Sequence, residues 1–488
     1  MVSELGMVRL AFILTLGLFA GGILAANAGA ARPLATGVTV TDVMPQEQLG
    51  FDRIRSAGAS FTRVIVHWSS VAPYQKPEDW DPTDPADPNY DWAYVDSQIV
   101  MATNAGLQPL VTVYSAPTWA ERCQDPIGGI CNPDPEAFAR FSEAVAKRYN
   151  GDFGGLPRVR YWQPWNEPNL FLFFKPQFEH GRKVSPGLYR ELLNRFHTTV
   201  KGVDATNLVV AGGLAPIERP GGVGPLDFAR RLLCMKGNRR PVPIPGCGQV
   251  ARFDIWANNP YTTGGPTHES AGKNDVSLGD LPEMARLLRA AKAAKKIRGV
   301  SKKVPFWVTE FSWDSKPPDP GGVPMKRLTR WTSEAMFRAW RAGVTNFFWL
   351  SLRDWPRAPG LPYSETIESG LYFRGSSIAK DRPKLILKAF RFPFVSFRKP
   401  TGIAIWGRTP KSTPGRVSII YRLGGKRKRL RVVRAGPNGV FRGLIKTALG
   451  KNKRGLVSAR HRGALSVAFS LKGVRDYRQP PFGRRGQG

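Results

Sequence analysis

RVRYWQPW, residues 158–165, is rich in aromatic and β-branched residues and predicts a buried strand, and the polar pair Asn166 and Glu167 follows it directly. Seven further runs of this type lie between residues 35 and 352, separated by longer segments with apolar residues at every third or fourth position. The eight strand candidates are 35–43, 61–68, 107–115, 158–165, 208–214, 253–259, 304–311 and 345–352. The helical segments between them include 92–105, 136–149, 186–203, 281–297 and 326–341. Strands that alternate with amphipathic helices are typical of a parallel α/β fold.

The number of these units predicts how the sheet closes. Eight strand and helix units in about 360 residues fit a closed barrel better than an open sheet. The sequence therefore predicts an α/β protein with a (β/α)8 TIM barrel over residues 32–394. Long insertions follow the strand candidates, and in a barrel these segments form the loops of the catalytic face, where functional residues are expected.

The sequence pattern changes after Pro393. Short alternating runs at 401–407, 416–422, 429–434 and 464–471 are separated by clusters of Gly, Pro and Lys. Such runs are typical of antiparallel strands joined by turns. Residues 395–488 are therefore predicted to form a small antiparallel β-sandwich domain.

The N-terminus has the order of a secretory signal, with a short charged region, an apolar run from Leu10 to Ala25 and small residues through Ala31. Residues 1–31 are predicted to be the cleaved signal peptide of a secreted, extracellular protein. Because Glu4 offsets Arg9 in the charged region, an uncleaved membrane anchor is the alternative.

Cysteine use agrees with export. The four cysteines fall into two close pairs, and short loops favour pairing within each of them. We therefore expect the disulfides Cys123–Cys131 and Cys234–Cys247, which persist in an oxidising compartment. A four-cysteine metal site is the rival interpretation, but neither pair has the spacing of a zinc motif.

The net charge of +35 is unevenly distributed along the chain. Residues 391–488 hold 25 Lys and Arg against one acid, Asp476. This asymmetry predicts that the C-terminal domain is an accessory domain that binds an anionic envelope or extracellular polymer. The alternative is a solvated strand edge that Lys and Arg protect from aggregation. Nucleic acid is disfavoured because aromatic residues are not interleaved with the basic ones, and no specific protein partner is indicated.

Two glutamates follow strands that lie on opposite sides of the predicted barrel. Residues 165–169 (WNEPN) end the fourth strand and residues 308–311 (VTEF) end the seventh. A carboxylate after an apolar strand costs free energy to desolvate unless it has partners, so two at one barrel mouth suggest a function. Glycoside cleavage needs two carboxyl groups that flank one bond, and a separation of about 5 to 5.5 Å gives the retaining mechanism.

These motifs resemble those of glycoside hydrolase clan A, the cellulase-like and xylosidase-like barrels, and the resemblance covers residues 35–394. Its most specific part is the Asn-Glu-Pro sequence at 166–168 followed by Thr-Glu at 309–310. The resemblance implies that Glu167 is the acid/base and Glu310 the nucleophile. It also implies that Asn166 binds the sugar hydroxyl next to the reacting carbon.

Further positions match the clan. The resemblance implies that Arg63 favours the charged form of the nucleophile, that Tyr261 donates a hydrogen bond to it, and that Trp349 is a sugar platform. A structural ion pair is the alternative role for Arg63, and core packing is the alternative for Trp349. Other candidate substrate-binding side chains crowd the strand ends, namely His67, Trp68, Tyr114, Trp119 and Trp313.

The sequence also departs from the clan pattern. Asn259 stands where members often have a histidine two residues before the strand-six tyrosine, and Tyr114 stands in the region of a strand-three histidine. Asn259 can donate a hydrogen bond but cannot titrate. The sequence thus predicts a glycosidase that hydrolyses β-linked O-glycosyl bonds of an oligo- or polysaccharide with retention, without a cofactor or metal. A transglycosylase on the same site and a carbohydrate-binding barrel without catalysis are the alternatives.

Overall fold

Eight parallel strands close into a barrel in this computed structural model, which describes residues 31–39, 47–126, 128–247, 250–357, 359–448 and 455–471. Each strand pairs with its neighbours in chain order, and the eighth pairs with the first. The strands are β1 (Ala35–Thr39), β2 (Phe61–His67), β3 (Gln108–Tyr114), β4 (Tyr161–Pro164), β5 (Leu208–Leu214), β6 (Ile255–Asn258), β7 (Phe306–Val308) and β8 (Val344–Trp349). The predicted (β/α)8 barrel is therefore confirmed.

Helices surround the barrel and pack their apolar faces against it. They are α1 (Gln48–Ser56), α2 (Ala93–Asn104), α3 (Pro135–Arg148), α4 (Ser185–Val203), α5 (Pro225–Leu232), α6 (Leu281–Ala293), α7 (Met325–Ala342) and α8 (Leu385–Arg391). Local sequence fixes their ends: the Asp134 carboxylate caps α3 by accepting the Glu136 and Ala137 N–H groups, and Gly343, with a φ of 117°, ends α7.

The side chains of β2 show how the barrel interior is layered. Phe61 lies at the N-terminal end, where its ring packs edge-on against Tyr161 and Trp307. Two residues further on, Arg63 is completely buried, and Ile65 faces the cavity at the C-terminal end. Alternate residues of a strand point to one face. From its N-terminal to its C-terminal end, β2 therefore contributes an apolar residue, then a cation and then a residue of the cavity wall to the barrel interior.

The C-terminal strands form two antiparallel sheets, which confirms the predicted sandwich. The strands are β9 (Phe394–Lys399), β10 (Gly402–Arg408), β11 (Gly415–Leu423), β12 (Lys426–Ala435), β13 (Val440–Lys446), β14 (Leu456–His461), β15 (Ala464–Leu465) and β16 (Phe469–Ser470). One sheet has the order β9-β10-β13, and the other has the order β12-β11-β14-β15, with β16 also paired to β14. The predicted runs missed β9, β13 and β14, in which apolar and polar residues do not alternate regularly.

The two C-terminal sheets do not stand apart from the barrel. Phe337 on α7 contacts Phe397 and Trp406, and Trp340 on the same helix also contacts Trp406. The guanidinium of Arg330 lies 3.6 Å from the centre of the Phe469 ring. One face of α7 is thus buried against these sheets, and the accessory role of residues 395–488 stays a prediction.

Both expected disulfides are present, Cys123–Cys131 and Cys234–Cys247. They close loops of the barrel, so the four-cysteine metal site does not form. The signal peptide predicted at residues 1–31 lies outside the described residues, apart from residue 31. In the part of the chain that the structure describes, no helix is long and apolar enough to cross a membrane.

Candidate active site

The backbone after β4 turns sharply to present two consecutive polar side chains. Trp165 and Glu167 have φ values of 68° and 42°, in the left-handed region that non-glycine residues rarely adopt. The Trp165 indole is fully buried and donates to the Phe173 carbonyl over 2.7 Å, which anchors the turn. Strained backbone of this kind persists where the surroundings hold it, and here it directs Asn166 and Glu167 toward one cavity.

Glu310 follows β7 and is held by two donors. The Arg63 guanidinium donates to its Oε1, and the Tyr261 hydroxyl donates to its Oε2 over 3.0 Å. Burial and the Glu310 charge raise the pKa of Tyr261 well above its usual value, so the tyrosine stays a donor. These two donors fix the position of the Glu310 carboxyl group in the cavity. Both the Arg63 and Tyr261 contacts agree with the roles that the resemblance implied.

Arg63 connects three barrel strands to one another. Its Nε donates to the Thr112 hydroxyl on β3 over 2.8 Å, and its Nη2 donates to the Asn166 Oδ1 over 3.0 Å. With Glu310 after β7 as the third partner, each nitrogen of the guanidinium has an acceptor. A buried, hydrogen-bonded arginine therefore orients both Asn166 and Glu310.

Glu167 has a different environment. The Asn259 Nδ2 donates to its Oε1 over 3.0 Å, and the Thr309 hydroxyl donates to the Asn259 Oδ1 over 2.8 Å, which fixes the orientation of that amide. Burial, followed by the charge of Glu310, raises the pKa of Glu167 to about 8. The Asn259 amide and the charges of Arg63 and Arg219 lower the pKa of Glu167, but they do not offset the effect of burial.

The two glutamates line one cavity of about 790 Å³ at the C-terminal end of the barrel. Its wall also includes Asn166, Tyr261, Tyr114 and Trp313. The Trp313 indole donates to the Gly264 carbonyl over 3.1 Å, so its ring has a fixed position. A cavity of this size, with apolar walls and a few converging polar groups, is typical of a small-molecule site.

Four predicted aromatic candidates lie elsewhere. Trp349 is fully buried, its indole donates to the Ser369 carbonyl over 2.7 Å, and it does not line the cavity as the predicted sugar platform would. Trp68 is also fully buried, since its ring stacks on Phe141 in the core. The remaining two lie in the region around β2: Trp119 packs edge-on against Trp68, and His67 lies against the Tyr114 ring.

Several cavity residues were missed by the sequence reasoning. Arg219, Asp314, Asp319 and Trp355 lie in the long loops that follow β5, β7 and β8. Burial raises the pKa of Asp314 to about 6, and its Oδ1 accepts the Glu368 N–H over 2.8 Å, which joins two of these loops. The only signal for these residues was their position in insertions after strands.

The two carboxyl groups thus have different environments in one cavity. Glu310 forms an ion pair with Arg63 and accepts from Tyr261, whereas Glu167 accepts from a neutral amide and burial raises its pKa. One carboxyl group beside a cation and a second with a raised pKa can supply a nucleophile or base and an acid. The arrangement can therefore attack one atom of a substrate and protonate a neighbouring one.

Comparison with solved structures supports the fold. The chain is similar to a family 39 glycoside hydrolase from the gut symbiont Bacteroides cellulosilyticus WH2, with 19% identity, a TM-score of 0.52, and coverage of 85% of this chain and 80% of that one. It also matches a monomeric β-xylosidase from Caulobacter crescentus CB15 with 14% identity, a TM-score of 0.48, and coverage of 86% and 96%. No protein-family model matches the chain, and no curated protein matches its sequence. The first likeness shows that the chain shares its fold with that family 39 glycoside hydrolase.

Proposed function

We propose that this protein is a glycosidase that hydrolyses β-linked O-glycosyl bonds of a carbohydrate with retention of configuration. The observation that carries the proposal is the pair Glu167 and Glu310 in one cavity, where burial raises the pKa of Glu167 and Glu310 pairs with the Arg63 guanidinium. The barrel fold and the position of each glutamate after a strand support the same function. The substrate class follows from the chemistry of the pair.

The reaction proceeds in two displacements. The Glu310 carboxylate attacks the anomeric carbon while Glu167 gives its proton to the departing glycosidic oxygen, so the carbon–oxygen bond breaks and a glycosyl ester forms. Glu167, now an anion, takes a proton from water, whose oxygen attacks the same carbon and releases Glu310. Two inversions leave the configuration unchanged. Asn166, oriented by Arg63, binds the hydroxyl next to the reacting carbon.

The proposal is tested with chromogenic aryl glycosides and two variants. Glu310→Gln should abolish turnover on every substrate because the nucleophile is always needed. Glu167→Ala should lower kcat by about 10²- to 10⁴-fold for poor leaving groups and much less for good ones, because only poor leaving groups need the proton. Added azide should partly restore the Glu167→Ala rate and give a β-glycosyl azide.

Glu191→Gln, on the exposed surface of α4, is the matched control and should keep full activity. An azide product with inverted configuration, or full activity of Glu310→Gln, would refute the assignment of the two glutamates.

We also propose that the protein acts outside the cytoplasm. Two disulfides in barrel loops fit an oxidising compartment. The residue order at 1–31 is that of a secretory signal. N-terminal sequencing of the protein from culture medium tests this, and a start at Met1 would contradict cleavage.

A further inference from the structure

One face of the β12-β11-β14 sheet consists largely of arginine. In β11, Val417, Ile419 and Tyr421 are buried, so the alternate positions from Arg416 to Arg422 point to the opposite face. Strand pairing extends this face across β12 and β14. The face, called the arginine face below, contains six exposed arginines, Arg416, Arg422, Arg427, Arg429, Arg434 and Arg460.

The six side chains of the arginine face form no ion pair with any residue that the structure describes. Arg422 lies directly opposite Arg427, and Arg416 lies directly opposite Arg434. Like charges directly opposite each other destabilise a sheet. A bound anion would relieve this repulsion.

Protection of a strand edge does not explain the distribution. Only β12 is an edge strand on this side of the sheet, and charges on that strand alone would suffice to prevent aggregation. Arg416 and Arg422 lie on β11, which has a paired strand on both sides, and Arg460 lies on β14. The positive charge thus covers the sheet surface and extends beyond its edge.

We infer that the arginine face binds the carboxylate groups of an acidic polysaccharide, a chain of uronic acid units. Neighbouring strands are about 4.8 Å apart and alternate residues of a strand about 7 Å apart, so the guanidinium groups form a closely spaced array. Each planar guanidinium binds a carboxylate through two parallel hydrogen bonds. A linear polymer with one carboxylate per sugar can contact several of these groups at once.

The rest of the arginine face and the cavity favour a saccharide. Ser418, Ile420 and Val432 fill the positions between the arginines, so the described face offers no aromatic ring on which bases could stack. Choice of a saccharide rests on the proposed glycosidase function. Arg219 on the cavity wall, whose charge lowers the pKa of Glu167, provides a cation for a carboxylated sugar near the catalytic pair.

Binding to immobilised polygalacturonate tests the inference with the full-length protein. The variant Arg422→Gln/Arg427→Gln/Arg429→Gln/Arg460→Gln should weaken binding about tenfold or more near 0.1 M salt, because four exposed charge contacts are lost. Its binding should also depend less steeply on salt than that of the wild type. Removal of like charges should leave the melting temperature unchanged or raise it, which excludes misfolding as the cause.

The matched control removes four exposed arginines from the barrel, Arg239→Gln/Arg240→Gln/Arg289→Gln/Arg298→Gln. It should bind polygalacturonate as the wild type does. Equal loss in the two variants would show that overall charge is responsible and would overturn the inference. Soluble competitors test the choice of ligand, each compared at an equal concentration of negative charges. The inference would also be overturned if duplex DNA or dextran sulfate released the protein from immobilised polygalacturonate at a lower concentration than soluble polygalacturonate does.

Both variants should hydrolyse small aryl glycosides at the wild-type rate, since neither alters the cavity. This readout separates the two proposals. If no glycoside is hydrolysed while the arginine-face variant alone loses binding, the proposed function fails and the binding surface stands.

Discussion

Replacement of Glu167 by glutamine should make the protein more stable at alkaline pH while it removes the acid. In the unfolded chain this carboxyl ionises near its ordinary value of 4.5, whereas in the folded protein burial and the Glu310 charge raise its pKa to about 8. Between these values the folded state holds one more proton than the unfolded state. The free energy of unfolding of the wild type should therefore fall as the pH rises from about 4.5 to about 8.

The size of this effect follows from the two pKa values. The interval between 4.5 and about 8 corresponds to a loss of about 5 kcal/mol across that pH range. Glutamine at this position keeps the shape of the side chain and carries no charge. The stability of the variant should therefore not fall with pH through this group. Its stability relative to the wild type should increase with pH and reach its largest value above pH 8.

Urea denaturation at pH 5 and at pH 9 measures this difference for the wild type, Glu167→Gln and the exposed control Glu191→Gln. The control should differ from the wild type by about 0.5 kcal/mol or less at either pH. Wild-type hydrolysis should decline above pH 8, because the acid must be protonated to act. Parallel stability curves for the wild type and Glu167→Gln would refute the reasoning, since they would mean that the carboxyl ionises alike in both states.

Two further outcomes concern the support of the barrel. Removal of residues 395–488 should lower the free energy of unfolding by about 3 to 6 kcal/mol, because Phe337 and Trp340 become exposed, and calorimetry on the truncated chain should show a lower melting temperature. An unchanged melting temperature would show that these contacts do not stabilise the barrel. Reduction of either disulfide should cost about 2 to 3 kcal/mol without loss of the fold, since the loops span only 8 and 13 residues. Peptide mapping of the oxidised protein that found four free thiols or crossed pairs would contradict the second outcome.

The barrel could be predicted because its strands and helices have clear periodicity in the sequence. The predicted run 208–214 coincides with β5, and the predicted helix 186–203 differs from α4 by one residue. Strand ends were less accurate: β7 covers only Phe306–Val308 of the predicted 304–311. Pairing with neighbouring strands determines these ends, and a single sequence does not contain that information.

The site was predictable where a residue's position along a strand determines its direction. Arg63 and Tyr261 contact Glu310, as the resemblance to clan A implied, and Asn259, where the sequence departs from the clan pattern, contacts Glu167. Aromatic side chains after strands were harder, because a loop decides whether such a ring faces the cavity or the core. The loop that contains Ser369 covers Trp349, whereas Trp355, only six residues further along the chain, lines the cavity.

Arg63 links barrel strands to one another in addition to binding the Glu310 carboxyl group. Its side chain starts on β2 and reaches partners on β3, after β4 and after β7, so it crosses the interior of the barrel. These contacts fix the distances between strands that are far apart in the sequence, at the end of the barrel where the cavity opens. One side chain thus contributes both to the support of the barrel and to the placement of the reacting groups. A change of Arg63 during evolution toward a new chemistry would therefore also require another residue that links these strands.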